Sequence, residues 1–420
     1  MTIAKHGCIS TKGKEAVMRD KDMETKPKKR RTKKQKQRNK IIVFALEVLL
    51  LIVLLIGVYF VGRLIKAYSK IENDSEFGNK SEAGINTGSD GISSEYFAEV
   101  LEGYTNIALF GLDNRSIGDY DDGRSDSIMI ASINNKTKEV KIVSVYRDTY
   151  LSVGNGKYNK ANTAYAYGGV KQAVQMLNSN LDLDITEYVC VDWAALIEAI
   201  DALGGVEIEV TKAEVKYINE YVSQMHKEIG SDGTKVKKEG LQTLNGAQAP
   251  GYARIRYTSG GDFKRASRQR IVLESMLNKA KEADLATLLD ICDNVFDNIS
   301  TTLTLEEILD LAADVTKYSI SSTTGFPFDV TTDKLSGSGD TVIPIVLEEN
   351  VSKLHEYMFG TVDYDPSFSV KAISDTIIEK TGVDEDTKPY NMDDYNNTAG
   401  QNGTVFDDPD EGTELDSTKD

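Results

Sequence analysis

Residues 253–270, ARIRYTSGGDFKRASRQR, gather six cations around one acid in a chain whose formal net charge is −17. Arg254, Arg256, Lys264, Arg265, Arg268 and Arg270, set against Asp262, suit a multiply charged anion. On a strand Arg254 and Arg256 project to one face, and on a helix Arg265 and Arg268 share another, so the spacing predicts two guanidinium forks aimed at one spot. Such forks match phosphate oxygens bidentately. Surface arginines paired with nearby carboxylates are the plainer alternative.

A second set lies upstream. GLDNRSIGDYDDGRSDS over 111–127 offers Asp113, Arg115, Asp119, Asp121, Asp122, Arg124 and Asp126, and SVYRDTY over 144–150 adds Arg147. Both follow short β-rich runs, and open α/β sheets collect ligands beyond the carboxyl ends of their strands. Several carboxylates in one loop suit a hard divalent cation, Mg²⁺ commonly taking one or two carboxylates and completing its shell with water and substrate phosphates. Aspartate as a turn former accounts equally well for Asp119, Asp121 and Asp122. In KYNKANTAYAYGG over 157–169, Lys160 and a Gly168-Gly169 pair precede a helical pattern.

Histidine is nearly absent. His6 lies near the N-terminus, His226 in a polar stretch and His355 in a helix-like one, so no motif supplies a Ser-His-Asp or Cys-His arrangement or a His/Cys zinc site. Cys8, Cys190 and Cys292 form no disulfide framework, and the latter two are expected as small core residues. Arginine, aspartate and a hard metal remain, a set that handles a phosphoryl group by charge neutralisation and positioning.

The elements that must position these side chains alternate. Runs at 106–110, 127–133, 140–146, 188–191 and 206–210 are predicted strands. Helical spacing is expected over 170–181, 193–203, 266–283, 285–296 and 305–315, with Gly204-Gly205 ending the second. This argues for an α/β domain, a three-layer αβα sandwich around a central mixed sheet, over 96–380.

The flanks differ in kind. KPKKRRTKKQKQRNK over 26–40 precedes an apolar run at 41–62 broken only by Glu47, long enough as a helix for a bilayer core. The basic run holds residues 1–40 in the cytoplasm and sends the rest outside, so the expectation is a cell-membrane protein with a single-pass signal anchor and no nucleic acid partner. Residues 1–66 carry a net +12, which leaves −29 for the remainder and makes a local arginine cluster there harder to dismiss as a solvated face. Residues 63–95 are expected as an extracellular linker and 381–420 as a disordered acidic tail.

GLDNR, GRSDS, SVYRDTY, NKANTAYAYGG, VDWAALIEAIDALGGVEIEV and LNGAQAPGYARIRYTSGGDFKRASRQR, in that order, resemble the LytR-CpsA-Psr family of cell-envelope proteins. The resemblance implies a phosphotransferase that moves an anionic glycopolymer, of teichoic acid or capsular polysaccharide type, from a polyprenyl-pyrophosphate carrier to peptidoglycan and releases polyprenyl phosphate. It implies Mg²⁺ at Asp113 and Asp126. Arg115, Arg124, Arg147, Lys160, Arg254, Arg256, Arg265, Arg268 and Gln269 would bind the pyrophosphate, with Asp113, Asp126, Arg124 and Arg147 at the chemistry. The family keeps an apolar groove for the prenyl chain, for which Trp193, Leu196, Ile197, Ile200 and Leu203 are candidates alongside ordinary core packing. Tyr146 stands where many members have Pro, Ser127 where many have Thr, and APGYAR where ALxYxR is usual. A non-enzymatic envelope regulator or transcriptional attenuator, a module that only binds the lipid-linked donor, and a surface-protein acceptor remain alternatives.

Overall fold

The computed structural model describes residues 59–73, 82–89, 91–112, 123–258 and 260–390. Most of the apolar run, 41–58, lies outside them, as do Asp113, Arg115 and residues 391–420. No helix among the described residues is long and apolar enough to cross a membrane.

In chain order the strands are β1 (Glu72–Asn73), β2 (Tyr104–Leu112), β3 (Ser125–Asn134), β4 (Glu139–Val145), β5 (Tyr150–Gly154), β6 (Lys157–Lys160), β7 (Glu187–Val191), β8 (Val206–Val210), β9 (Gly240–Leu244), β10 (Ile299–Thr301), β11 (Ser319–Phe326), β12 (Val330–Leu335) and β13 (Gly339–Pro344). The α-helices are α1 (Ser94–Glu99), α2 (Asn162–Leu181), α3 (Trp193–Ala202), α4 (Lys212–Ile229), α5 (Gln248–Ala253), α6 (Gly261–Glu282), α7 (Leu285–Val295), α8 (Leu305–Ala313), α9 (Leu347–Phe359) and α10 (Phe368–Thr381). A further helical stretch covers 59–68.

Seven strands form one mixed sheet in the order β1-β10-β7-β2-β3-β4-β11, antiparallel at β10/β7, β2/β3 and β3/β4 and parallel elsewhere. Successive side chains of a strand point to opposite faces, so the sheet can bury both. Ala108, Phe110, Ile128, Ile130 and Val143 pack with α2, α9 and α10, whereas Ile107, Met129, Ala131 and Ile142 meet Leu273 and Leu277 of α6 and Leu311 of α8. Helices therefore cover both faces, as expected. The 206–210 strand forms but pairs only with β9, in a ribbon outside the main sheet.

Local chemistry sets the helix ends. Asp192 caps α3 by accepting Ala195 N–H at 2.8 Å, and Gly204 and Gly205 end it at φ 76 and 91, values that favour glycine. Thr211 and Glu214 make a reciprocal capping box at α4.

Parts of both flanks expected to be flexible are placed. The linker is not free along its length: Ala67 and Ile71 are buried against Phe296, β1 pairs with β10, and Ala83, Ile85 and Ile92 join the main core. Their apolar side chains are too sparse for a sequence period but each fills a core position. Residues 382–390 are likewise placed, with Tyr390 N–H on the Val330 carbonyl at 2.6 Å and its ring on Phe263.

Candidate functional site

The strand expected through Arg254 and Arg256 does not form. Asn245 Oδ1 accepts the N–H groups of Ala247 and Gln248 at 3.1 and 2.9 Å and starts α5, where Pro250 sits in the first turn and costs no internal hydrogen bond. Arg254 caps that helix and Arg256 follows in the loop leading to α6. The loop is pinned by Arg268: its Nε meets Glu214 at 2.9 Å, Nη1 the Ile255 carbonyl at 3.1 Å and Nη2 Thr258 Oγ1 at 2.5 Å. Only 2% exposed, with all three nitrogens bonded, Arg268 is turned away from the other arginines. Arg270 faces Tyr146 and Tyr357, and Lys264 is exposed.

The remaining cations converge on Asp126. Arg147 Nη1 lies 2.8 Å from one carboxylate oxygen and Arg256 Nη2 3.0 Å from the other, while Arg265 Nη2 reaches the Asp126 carbonyl at 3.2 Å and Asp262 at 2.9 Å. Arg147 Nε stands 3.5 Å from Asp148 and 3.6 Å from Asp262, and Lys160 Nζ is 3.0 Å from Asp148. Residues from the start of β3, the end of β4, β6, the 254–258 loop and α6 thus share one site. Arg124 precedes β3 and is exposed.

Arg254 is held differently. Its guanidinium carbon is 5.0 Å from the ring centres of both Trp193 and Tyr221, so two cation–π contacts hold it. Tyr221, whose hydroxyl burial pushes upward, feels Arg256, Arg254 and Arg265 together. Nothing in the sequence marks Tyr221, which lies in the polar segment around His226. Asp148 was not singled out from the sequence either, although it stands next to Arg147 in SVYRDTY.

Burial and charge pull the acids apart. Burial alone would raise Asp126, yet Arg147, Arg265 and Arg256 hold its carboxyl well below the usual range. Burial and the neighbouring Asp262 push Asp148 upward instead. Burial pulls Arg265 down to about 10, and Arg147 is raised because Asp262, Asp126 and Asp148 outweigh its own desolvation.

Asp126 and Gln269 also border a cavity of about 240 Å³ lined by Leu109, Met129, Val189, Leu273 and Met276. Of the groove candidates, Trp193 and Leu196 line it. Ile200 is instead fully buried in the core around β8, and Ile197 and Leu203 are not in its wall. A charged mouth on an apolar chamber accommodates an anion carrying a hydrocarbon.

The fit to Mg²⁺ can be tested on Asp126. Each of its oxygens takes one arginine hydrogen bond and retains a lone pair, and hard carboxylate oxygen is the donor this ion takes, so the residue fits. Among the described residues no group of three His, Cys, Asp or Glu is placed to hold a metal ion, and Asp113 lies outside them.

One departure from the family pattern, Tyr146, has a local account. Tyr146 packs edge-on against Phe263 at 4.6 Å, and its hydroxyl fills the space a Cβ at Gly325 would need. Neither Cys190 nor Cys292 is in a disulfide; Cys190 is buried and accepts from the Tyr165 hydroxyl at 3.8 Å.

Residues 58–352 match the family model described as the LytR_cpsA_psr family. Relatives named polyisoprenyl-teichoic acid–peptidoglycan teichoic acid transferase TagU include those of Bacillus licheniformis, 34% identical over 49% of this chain and 62% of the relative, and of Enterococcus faecalis, 34% over 50% and 64%. The matched segment is thus under two thirds of their length. The protein of that name from Bacillus cereus is 30% identical over 63% of this chain and 82% of the relative. Among solved structures, TagT bound to LI-WTA superposes with TM-score 0.51 at 22% identity, covering 66% of this chain and 97% of that one. Protein gbs0355 of Streptococcus agalactiae gives 0.51 at 22%, covering 66% and 92%. Seventy per cent of the sequence therefore carries this signature, on the fold those structures have, and the chain belongs to the LytR-CpsA-Psr family.

Proposed function

We propose that this protein transfers an anionic glycopolymer from a polyprenyl-pyrophosphate carrier to peptidoglycan, on the outer side of a membrane in which residues 41–62 anchor it. The carrying observation is the convergence of Arg147, Arg256 and Arg265 on Asp126 at the mouth of an apolar cavity. A prenyl chain in the cavity places a diphosphate among the cations. The names of the relatives support the teichoic acid class of polymer.

In this reading a sugar hydroxyl of the acceptor attacks the phosphorus that bears the glycan. The bond from that phosphorus to the bridging oxygen breaks, and prenyl phosphate leaves. Arg254, Arg256 and Arg147 neutralise the charge that grows on the leaving oxygen, the kind of preorganised stabilisation that dominates phosphoryl transfer. Mg²⁺, held by Asp126 with Asp113, would supply further charge neutralisation at the diphosphate. The acceptor's proton needs a base. Asp126, held anionic by three arginines, is a weak one, whereas Asp148 has the more basic carboxylate and sits beside Lys160 and Arg147. Purified protein carrying Arg254→Ala or Asp126→Ala is expected to remain folded by circular dichroism and to lose transfer to peptidoglycan; turnover retained in both variants refutes the assignment.

A further inference from the structure

A chain of contacts links Asp126 to α2. The apolar cavity borders Asp126, and away from it Arg147 leads to Asp148, Asp148 to Lys160, and Lys160 to Asn159, whose Oδ1 accepts the Lys160 N–H at 2.8 Å. Asn159 Nδ2 in turn donates to the phenol oxygen of Tyr167 at 3.2 Å. Lys157 Nζ stands 4.9 Å from the centre of the same ring.

Tyr167 is nonetheless 51% exposed. It is the last residue before a break in α2, where Gly168 has φ −167 and ψ 31 and Gly169 has φ 64 and ψ −160, the latter a conformation open to glycine and strained for other residues. A large ring that is fixed by two polar partners and a backbone break, yet left half in water, adds little to the core. It is a presented surface.

We infer that Tyr167, Asn159 and Lys157 form a carbohydrate subsite in which the ring stacks on the apolar C–H face of a pyranose. The phenol oxygen accepts from Asn159, so its own proton is available to a sugar hydroxyl or acetamido carbonyl, and the Lys157 ammonium has donors to spare. The inference rests on the proposed function, since a transferase whose donor and acceptor are both glycans must hold sugar on the side away from the prenyl chamber. Two sources share this chemistry: the peptidoglycan acceptor and the first sugars of the donor.

The test uses the full-length protein in detergent and a soluble β-1,4-linked N-acetylglucosamine tetramer as probe. Wild type and Tyr167→Trp are expected to bind the tetramer in a calorimetric titration, and Tyr167→Ala to bind it about tenfold more weakly, the scale of one lost aromatic contact. In transfer assays Tyr167→Ala then raises the KM of one substrate: a rise for peptidoglycan fragments assigns the subsite to the acceptor, and a rise for the lipid-linked donor assigns it to the donor's sugars. Equal tetramer affinity in wild type and Tyr167→Ala overturns the subsite. Absence of transfer by the wild type, with Tyr167-dependent tetramer binding intact, counts against the proposed function and leaves the subsite standing.

Discussion

Arginines that look alike in the sequence have opposite duties here, and the difference is measurable. Arg268 donates to Glu214, Ile255 and Thr258 and is buried, so Arg268→Ala leaves the Glu214 carboxylate without its counter-cation, held by Thr211 alone, and is expected to cost ~3 kcal/mol. Arg256, part-exposed and bonded to Asp126, is expected to cost far less stability and far more transfer when truncated. Thermal melts and transfer rates on the two alanine variants check this; a stable Arg268→Ala or an active Arg256→Ala contradicts it. The acids separate in the same way. A base must be ionised to work, so transfer should fall as pH drops through the raised Asp148 pKa, and Asp148→Asn should lose about 10²–10⁴-fold together with that acidic limb. An unchanged pH profile in Asp148→Asn would return the role of base to Asp113 or to substrate phosphate.

At the level of elements, legibility followed apolar pattern. The edges of β2, β7, α3 and α7 lie within a few residues of their expected positions because each has a regular run of Val, Ile, Leu or Ala ended by a cap or glycine. β11, SISSTTGF, was not legible: six of its eight residues are not buried, and its place is set by parallel pairing to β4 rather than by its own composition. α4 escaped for a similar reason, its polar surface hiding the face that carries Ile218, Val222 and, at the site, Tyr221. The motif residues were found from charge and spacing, but only the fold distinguishes Arg265 on Asp126 from Arg268 on Glu214, three positions apart on one helix. The cavity was implied by resemblance, but of its named wall candidates only Trp193 and Leu196 line it, because helical spacing in 193–203 serves a chamber and a core equally. Leu273 and Met276 of α6 supply part of that wall, and Leu273→Trp fills it. The expected result is weaker binding of long-chain prenyl pyrophosphate with little change for a short-chain analogue; equal losses for both would mean that the chamber holds no hydrocarbon.

Across the whole domain, the segments flanking the site's scaffold are tied together on the sheet face away from the cavity. Asp182, at the C-cap of α2 in the left-handed conformation (φ 51), accepts Ser367 N–H and Ser367 Oγ–H at 2.7 Å each, Asn86 Nδ2 at 2.7 Å and the Tyr364 hydroxyl at 3.2 Å. His355 of α9 stacks on Tyr364 at 3.8 Å and lies 2.9 Å from the Leu181 carbonyl through Nε2 and 2.8 Å from the Tyr96 hydroxyl through Nδ1. A carbonyl can only accept, so Nε2 carries the proton and Nδ1 accepts from Tyr96. One imidazole thus joins α1, α2 and α9 in its neutral form. Burial pushes its pKa down to about 4, with the Leu181 bond and the Asp182 charge opposing. An unfolded histidine titrates near 6.5, so between about 6.5 and 4 the unfolded chain binds the extra proton and stability falls as pH falls, by on the order of 3 kcal/mol in total. His355→Gln removes the titrating group while keeping an amide donor and acceptor. Its melting temperature should therefore decline less steeply than that of the wild type between pH 6.5 and 4.5, whatever its value at neutrality. Parallel declines would mean that the folded domain protonates His355 without opening, and that the junction of α1, α2 and α9 tolerates the charge.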